Sequence, residues 1–442
     1  MNADKDKRRV PTVSRVAGDT IIELVYDREQ RRTGLVVSRF GGLWNIEQEV
    51  TVGTGEILVP YSARNNLISN ECVLLPSKPG DFGDKGDLLR DIESFLHRYV
   101  DLSPLFEKLA AHYVLMTWVY DAFNEVPYLR LRGDYGTGKT RGLIAIGSLC
   151  YKPFFAAGAS STSAIFRTLD AFGGTLLFDE ADFRFSDATA ELVKILNNGN
   201  VRGLPVLRTV LNRHKEFNPQ AFKVFGPKIV AMRGSYDDKA LESRFLTEET
   251  GGRLLRHDIP IHLPESLKTE ALELRDRLLH FRLCKFFDIK TDPSAITPDI
   301  EPRLNQTVLS LLSLVDDAAL RSEITAALVR QNAALAAERG ESLEAGLIQG
   351  VIDAFAATAN AFVSVRDVTD HFNTRFGSEY GRPFSSKWIG AALRKRLHVE
   401  TQRSHGVYVI PASEKTKIDA LAARYGIATR ADAIAHDAPQ EL

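Results

Sequence analysis

One stretch of eight residues constrains the fold of this chain more than any other part of the sequence. It consists of Gly133, Asp134, Tyr135, Gly136, Thr137, Gly138, Lys139 and Thr140. An apolar, strand-like run at 127–132 precedes it, and a helical run at 141–149 follows it. A strand, a G-x-x-x-x-G-K-S/T loop and a helix in this order predict a P-loop.

The chemistry of this loop suits a nucleoside triphosphate. Its glycines let backbone N–H groups turn inward around phosphates, and the helix N-terminus adds partial positive charge. Lys139 can reach the β- and γ-phosphates, and the Thr140 hydroxyl can ligate Mg²⁺. The alternative is a chance glycine-rich turn, which the flanking strand and helix disfavour. We therefore expect the nucleotide to bind along residues 133–141, which end at Arg141.

A second motif lies downstream, where the apolar run 175–178 ends in Asp179 and Glu180. Asp179 is suited to hold Mg²⁺ through water, and Glu180 is suited to orient and deprotonate an attacking water molecule. The alternative is a strand that ends at a solvated acidic turn. Together with the P-loop, two adjacent acids favour hydrolysis over nucleotide binding alone.

Composition excludes several classes of protein. The chain has 442 residues and a formal net charge of −1, so any nucleic-acid surface must be local. Its three cysteines are widely spaced, which excludes a cysteine-rich zinc site and favours a reducing compartment. The start of the sequence is charged, and no apolar run is long enough to span a bilayer. These features predict a cytoplasmic protein without a membrane partner.

The chain divides by composition into five segments. A β-rich domain at 1–80 leads through a linker rich in proline, glycine and charge into a core at 87–263. In the core, predicted strands near 128–132, 153–157, 175–179, 227–232 and 244–249 alternate with helices, which indicates a mainly parallel α/β sheet. A helical segment at 264–340, a small domain at 343–425 and a tail at 426–442 follow.

Two basic features interrupt or follow the core. Runs at 205–211 and 221–225 resemble paired strands with Arg213, His214 and Lys215 near the tip, which could grip a nucleic-acid backbone or form a solvated turn. In the segment 343–425, three predicted helices and a hairpin follow the winged-helix order. Its third helix carries Lys387 and Arg394, and Arg403 lies in the hairpin turn. These residues favour DNA contact, although a solvated helix face or a protein contact remains an alternative.

Arg244 lies just before the last predicted strand of the core. An arginine there could stabilise charge that develops on the γ-phosphate bound to a neighbouring subunit. The alternative is a surface arginine that pairs with Glu242 or Glu248.

Together these motifs resemble AAA+ ATPases of the helicase-like branch. More narrowly, they are similar to the primase-helicase-type ATPases of phages, plasmids and mobile elements, which are related to minichromosome-maintenance helicases. The resemblance covers residues 87–425 and rests on GDYGTGKT, TLLFDEAD, ELVKILNNGNVRGLPVLR and FKVFGPKIVAMRGSYDDKALESRF, together with the terminal winged helix. The N-terminal segment lacks the zinc cysteines of the minichromosome-maintenance family.

The resemblance implies a P-loop AAA+ sheet with a helical lid and a homo-hexameric ring with ATP at its subunit interfaces. It assigns Arg244 as the arginine finger and puts the hairpin tip in the central pore. Arg303 resembles the lid arginine called sensor 2, with Arg275 as a rival. At sensor 1, where relatives carry Asn, Thr or Ser, this chain has Arg233, with Ser235 nearby.

The leading interpretation is an ATP- and Mg²⁺-dependent DNA helicase or translocase that acts in the replication of a mobile element, with other replication proteins of that element as further partners. One alternative is a nucleotide-switched, DNA-binding initiator or loader without processive unwinding. The other is an AAA+ machine that remodels proteins, although protein unfoldases generally use an aromatic-hydrophobic pore loop rather than a basic tip.

Overall fold

The computed structural model describes most of the chain. The described residues are 8–39, 42–53, 55–179, 187–211, 216–236, 238–253, 255–340, 342–358, 360–376, 383–404 and 406–427. The chain forms two compact units, Met1–Ala326 and Ala327–Leu442. Within the described ranges, no helix is long and apolar enough to cross a membrane.

The first unit begins with strands. Its first elements are β1 (Arg8–Thr12), β2 (Ser14–Ala17), β3 (Thr20–Asp27), β4 (Arg32–Arg39), β5 (Leu43–Glu47), β6 (Val50–Val52), β7 (Glu56–Pro60) and the short helix α1 (Asn66–Ser69). Strands β2 to β5 form an antiparallel sheet in chain order, whereas β7 pairs in parallel with β1 and antiparallel with β6. Strands β3 and β4 are rich in β-branched residues, which is why they could be predicted as strands, and most of these residues are buried.

Helices α2 (Lys85–Tyr99) and α3 (Pro104–Thr117) connect this region to the core. Helix α3 begins with a serine cap and a proline, and Ser103 Oγ accepts a hydrogen bond from the Phe106 N–H at 3.4 Å. Helix α3 ends at Thr117, and a 3-10 turn follows at Tyr120–Ala122. Residues on both sides of this end are mostly buried and apolar, so the sequence pattern does not mark the end of the helix.

A five-stranded parallel sheet forms the centre of the unit. The elements of this region are β8 (Tyr128–Arg132), α4 (Lys139–Leu149), β9 (Phe154–Ala156), α5 (Thr162–Phe172), β10 (Leu176–Phe178), α6 (Asp187–Asn198), β11 (Val206–Leu211), β12 (Phe217–Phe222), β13 (Lys228–Met232), α7 (Lys239–Glu242) and β14 (Phe245–Glu249). The strand order is β14-β8-β13-β10-β9, and every neighbouring pair is parallel. The predicted α/β class with a mainly parallel sheet is confirmed.

Strands β11 and β12 form a separate antiparallel hairpin between α6 and β13. The predicted pairing of two strands is present, but the predicted second strand, 221–225, is placed too late, because β12 runs from Phe217 to Phe222. Asn218 and Pro219 are poor strand formers and hid this start from sequence reasoning. The predicted DNA-contacting tip, with Arg213, His214 and Lys215, lies outside the described residues.

Helices α8 (Ser266–Lys285), α9 (Pro302–Leu312) and α10 (Ala318–Gly340) follow the sheet, in agreement with the helical prediction for 264–340. The second unit begins within α10. Its further elements are α11 (Leu343–Ala356), β15 (Phe362–Ser364), α12 (Val365–Phe376), α13 (Ser386–Arg396), β16 (Gln402–Ser404), β17 (Val407–Pro411) and α14 (Lys415–Arg424).

The second unit contains the three predicted helices and the predicted hairpin. Two elements were not predicted: the short strand β15, which pairs with β17, and the last helix, α14. The predicted turn at 403–406 starts too early, because Arg403 and Ser404 belong to β16 and pair with Tyr408 and Val407. This unit has its own apolar core, which α11, α12, α13 and β17 share.

A buried group of charged side chains joins the β-rich region of the first unit to its core. Glu23 from β3 contacts Lys152 Nζ at 2.7 Å and Arg282 Nε at 2.8 Å, and all three side chains are inaccessible to solvent. Arg282, on α8, also binds Asp121. The cluster contains two cations and two carboxylates and fastens β3 and α8 to the segment that follows α4.

Candidate nucleotide-binding site

The P-loop lies at the carboxyl edge of the parallel sheet, directly after β8. Gly138 caps α4 with a φ of 86°, a left-handed conformation that other residues rarely adopt. Gly133 packs so closely on the end of β14 that a Cβ atom there would lie 2.3 Å from Thr250 Oγ1 and 2.4 Å from the Thr250 carbonyl oxygen. Glycine is therefore required at both ends of the loop.

The loop closes on its own lysine. Lys139 Nζ donates to the carbonyl oxygens of Gly133 at 2.7 Å and Asp134 at 2.5 Å, across the space that the loop encircles. Those carbonyls are uncharged acceptors, so phosphate oxygens would be stronger partners for the ammonium. The side chain is therefore held where a bound phosphate chain would meet it.

The acidic strand meets the P-loop at Thr140. Its Oγ1 donates to Asp179 Oδ2 at 2.9 Å, and Asp179 follows β10 at the same edge of the sheet. A hydroxyl and a carboxylate side by side are hard oxygen ligands that suit Mg²⁺. The residues predicted as metal ligands are thus brought together. Glu180, the predicted general base, lies outside the described residues.

Residues that sequence reasoning missed form one wall of the loop. Thr250, just beyond β14, shares a 2.8 Å hydrogen bond between hydroxyls with Thr137, and its own N–H donates to the Arg132 carbonyl. On the other side of β8, the Gly133 N–H donates to the Met232 carbonyl at 3.3 Å. The Thr-Gly-Gly run after β14 was the available signal, since it places small residues at the carboxyl end of a core strand.

Arg141, predicted to lie along the nucleotide, binds backbone carbonyls. Its guanidinium donates to Pro260 and Ile261 at 2.6 Å each and to Tyr99 at 3.3 Å. These bonds tie the first turn of α4 to the end of α2 and to the segment that leads into α8. They orient the helix that presents Lys139 and Thr140.

Arg233, predicted at sensor 1, lies beside the P-loop. It follows β13, and its guanidinium carbon lies 3.4 Å from the centroid of the Tyr135 ring. Ser235 is nearby and accepts a hydrogen bond from Arg132. The structure therefore brings together two residues that the sequence separates widely.

Arg244 lies at the opposite edge of the sheet. Its carbonyl oxygen accepts the Tyr128 N–H at the start of β8, so a strand length of about 13 Å separates it from its own P-loop. The side chain is only 6% exposed and donates to Asn197 Oδ1. The surface-arginine alternative is wrong, because Arg244 is buried, Glu242 pairs with Arg130 and Glu248 pairs with Arg253. Asn197, at the end of α6, was not predicted.

Arg303 belongs to the same edge. Arg303 is exposed in the first turn of α9. The burial of Arg244, together with the nearby charge of Arg303, lowers the pKa of Arg244. Arg275, the rival for this role, is 1% exposed and donates to the Ser148 carbonyl at 2.6 Å. Burial lowers the pKa of Arg275 to about 10. It packs α8 on α4 and does not reach the P-loop edge.

The basic residues of the second unit are placed as follows. Lys387 is exposed near the start of α13, and Arg403 is exposed in β16. Arg394 donates to Thr401 Oγ1 at 3.0 Å, and its guanidinium carbon lies 5.2 Å from the centroid of the Tyr408 ring. Arg394 therefore also braces α13 against the hairpin.

Comparison with solved structures gives distant likenesses. The apo NrS-1 C-terminal region is 12% identical, with a TM-score of 0.39, over 88% of this chain and 96% of that one. A full-length MCM homolog from Methanopyrus kandleri is 12% identical, with a TM-score of 0.38, over 73% of this chain and 75% of that one. No protein-family model and no curated protein matches the chain.

Proposed function

We propose that this chain is an ATP hydrolase that uses Mg²⁺ and couples turnover to movement along DNA, as a helicase or translocase of the AAA+ class. The observation that carries this proposal is the 2.9 Å contact between Thr140 and Asp179 beside a loop that already holds Lys139. A glycine loop, a lysine and this pair of oxygen ligands are the parts that phosphoryl transfer requires.

Each residue would have a separate role. Lys139 would exchange its carbonyl partners for β- and γ-phosphate oxygens, and Thr140 and Asp179 would hold Mg²⁺. Magnesium bound there neutralises charge on the phosphate oxygens. Glu180, next in the sequence, would take the proton of the attacking water. Arg233 would meet the γ-phosphate from the β13 side.

We further propose that a second copy completes the site. Arg244 and Arg303 lie close together, and a strand of about 13 Å separates Arg244 from the P-loop of its own chain. A pair of arginines at the far edge of the sheet suits the γ-phosphate of a neighbour in a homo-oligomer, with a hexameric ring as the expected form. Since Arg244 is buried in this single chain, assembly would have to expose its guanidinium.

DNA is the proposed substrate for movement. Support comes from the hairpin, whose sequence between β11 and β12 carries Arg213, His214 and Lys215, and from the exposed Lys387 and Arg403. In this proposal, residues 1–80 form an N-terminal β-rich domain that packs on the core, 87–263 the AAA+ core, 264–340 the lid, 343–425 a winged helix and 426–442 a tail. The most specific form of this proposal is a role in the replication of a mobile element, together with the other replication proteins of that element.

One observation favours the protein-remodelling alternative. Leu211 and Phe217 are directly paired at the end of the hairpin, and Phe217 is 79% exposed. An exposed aromatic could grip an extended polypeptide, although it could equally stack on bases of single-stranded DNA. A nucleotide-switched loader would share every residue of the site and differ only in the absence of processive unwinding.

A forked DNA substrate tests the proposal. Purified protein with ATP and Mg²⁺ should displace the strand, and Glu180→Gln should bind ATP without turning it over. Phe217→Ala and the pair Arg213→Ala/Lys215→Ala should each reduce DNA-stimulated hydrolysis. If hydrolysis responds to an unfolded polypeptide and to no DNA, the remodelling alternative is correct. If DNA binds in an ATP-dependent manner without strand displacement, the loader is correct.

Action by a second copy is tested by mixing variants. Arg244→Ala and Glu180→Gln subunits should each be inactive alone. Mixed assemblies should regain hydrolysis, because some interfaces then pair an intact Arg244 with an intact Glu180. If mixing restores no activity while the subunits demonstrably exchange, Arg244 does not act across the interface.

A further inference from the structure

The P-loop of this chain carries an aromatic side chain at its outer rim. Tyr135 is 73% exposed, so its ring does not serve the core. Its N–H donates to Asp134 Oδ1 at 2.7 Å, a local contact within the loop. A large and exposed ring in a phosphate loop calls for an explanation other than packing.

The Tyr135 ring contacts the guanidinium of Arg233. The guanidinium carbon of Arg233 lies 3.4 Å from the centroid of the Tyr135 ring, well within the range of about 6 Å for cation–π contact. This distance places the guanidinium carbon directly over the face of the ring. Arginine suits such a contact because its cation is planar and weakly hydrated.

Two further contacts hold the segment after β13 against the P-loop. The Met232 carbonyl accepts the Gly133 N–H at 3.3 Å, and the Ser235 hydroxyl accepts from Arg132, which also binds Glu249 at 2.8 Å. The backbone on both sides of Arg233 is thus attached to the strand and loop that form the site. The side chain of Arg233 has several rotatable bonds, and the Tyr135 ring is one of its contacts.

We propose that Tyr135 is a positioning residue for Arg233, so that the stacked guanidinium is held at the mouth of the P-loop to bind the terminal phosphate of a nucleoside triphosphate. This inference rests on the proposed nucleotide site and extends it. The contact with the ring restricts the rotamers of the Arg233 side chain before the ligand arrives. The pair makes the site distinguish a triphosphate from a diphosphate.

The test compares two affinities, for the non-hydrolysable analogue AMP-PNP and for ADP, by calorimetry with Mg²⁺. Arg233→Ala should weaken AMP-PNP about tenfold relative to ADP, because a charge-assisted contact to the last phosphate is lost. Tyr135→Ala should reduce the ratio of AMP-PNP affinity to ADP affinity about three- to tenfold. Tyr135→Phe should leave this ratio at the wild-type value, because phenylalanine keeps the ring face.

A double-mutant cycle separates positioning from a general effect on the loop. In the Arg233→Ala background, Tyr135→Ala should change the ratio less than twofold. If the two effects multiply, or if Tyr135→Phe behaves like Tyr135→Ala, Tyr135 does not act through Arg233 and the inference is wrong. Because binding is measured without turnover, a protein that shows the cycle but never hydrolyses ATP refutes the proposed hydrolase alone. A protein that binds neither nucleotide refutes both.

Discussion

Two lysines at opposite ends of α4 have opposite surroundings. Lys139 begins the helix at the carboxyl edge of the sheet, half-buried, and donates to the carbonyls of Gly133 and Asp134. Lys152, just beyond the end of the helix, is 1% exposed and lies 2.7 Å from the Glu23 carboxylate. The same type of side chain thus contacts backbone carbonyls at the site in one region and a buried carboxylate in the other.

The electrostatics of the buried pair follow from its isolation. Burial raises the cost of ionising Glu23, but the charges of Lys152 and Arg282 outweigh it and hold the pKa of Glu23 below its usual value. Burial lowers the pKa of Lys152, and Glu23 opposes that fall. A charge whose counter-charge belongs to the chain stabilises the fold. A charge held by uncharged carbonyls at an open edge is available to a ligand.

The largest expected effect breaks the closed cluster. Glu23→Gln should destabilise the protein by about 3–5 kcal/mol, because Lys152 and Arg282 would remain buried with Asp121 as their remaining carboxylate. Urea unfolding measures the change. Glu56→Gln is a matched control, since its pair with Arg15 is about 40% exposed and should contribute at most about 1 kcal/mol. Equal effects of the two variants would show that burial does not distinguish these pairs.

The second prediction concerns the open lysine. Lys139→Met should reduce ATP turnover about 10²–10³-fold, because a cation placed for developing phosphate charge is lost. Its unfolding free energy should change by less than about 1 kcal/mol, since the Lys139 side chain lies at the partly exposed edge of the sheet and is not enclosed in the core. Phosphate release and urea unfolding measure the two quantities.

Lys152→Met provides the opposite control. It should lower stability by about 3 kcal/mol or more while the folded fraction keeps its nucleotide affinity. If Lys139→Met is the less stable of the two variants, or if Lys152→Met loses nucleotide binding in the folded protein, the contrast between the two ends of α4 is wrong.

Local sequence was sufficient for one end of this helix and not for the other. The predicted strands around α4 agree with the structure to within one residue at each end, because an apolar run of a few consecutive residues is enough to recognise each of them. Thr140 and Asp179 could be paired from sequence, since carboxyl ends of parallel strands share an edge. These contacts follow from the order of motifs alone.

The partners of Lys152 could not be predicted in this way. Glu23, Lys152 and Arg282 come from three distant segments, and each is embedded in an ordinary strand, turn or helix pattern. Their meeting depends on how β3 and α8 pack on the core, which no local pattern encodes. The contact of Tyr135 with Arg233 was missed for the same reason, because it depends on β13 lying beside β8.

A third lysine sharpens the comparison, because it is buried and bound to carbonyls. Lys228 begins β13 and donates to the carbonyl oxygens of Gly199 at 3.1 Å and of Val224 and Gly226 at 2.9 Å. These carbonyls flank the hairpin on both sides, so the ammonium fastens its base. Burial lowers the pKa of Lys228 to about 7, against an ordinary value of 10.5.

The sign of the resulting pH dependence follows from linkage. Below pH 7 the amine is protonated in both the folded and the unfolded chain, and the full penalty for burying the charge applies. Between pH 7 and 10 the unfolded chain binds the extra proton, so stability rises with pH. Relative to Lys228→Met, the wild-type protein should gain about 2–3 kcal/mol of unfolding free energy between pH 7 and pH 9.

Subtracting the Lys228→Met variant removes the contribution of other titrating groups. The nearest ones, Tyr113 and Tyr128, stay protonated in this range, because burial raises the pKa of both well above 10. Urea unfolding of the two proteins at pH 6, 7, 8 and 9 measures the difference. If the difference in unfolding free energy between the two proteins does not change with pH, Lys228 stays protonated in the folded protein. Three carbonyls would then hold the ammonium as well as a carboxylate does. Buried Lys152, beside a carboxylate, and buried Lys228, beside carbonyls, would then both keep their charge. Lys139 would differ from them only in its access to a ligand.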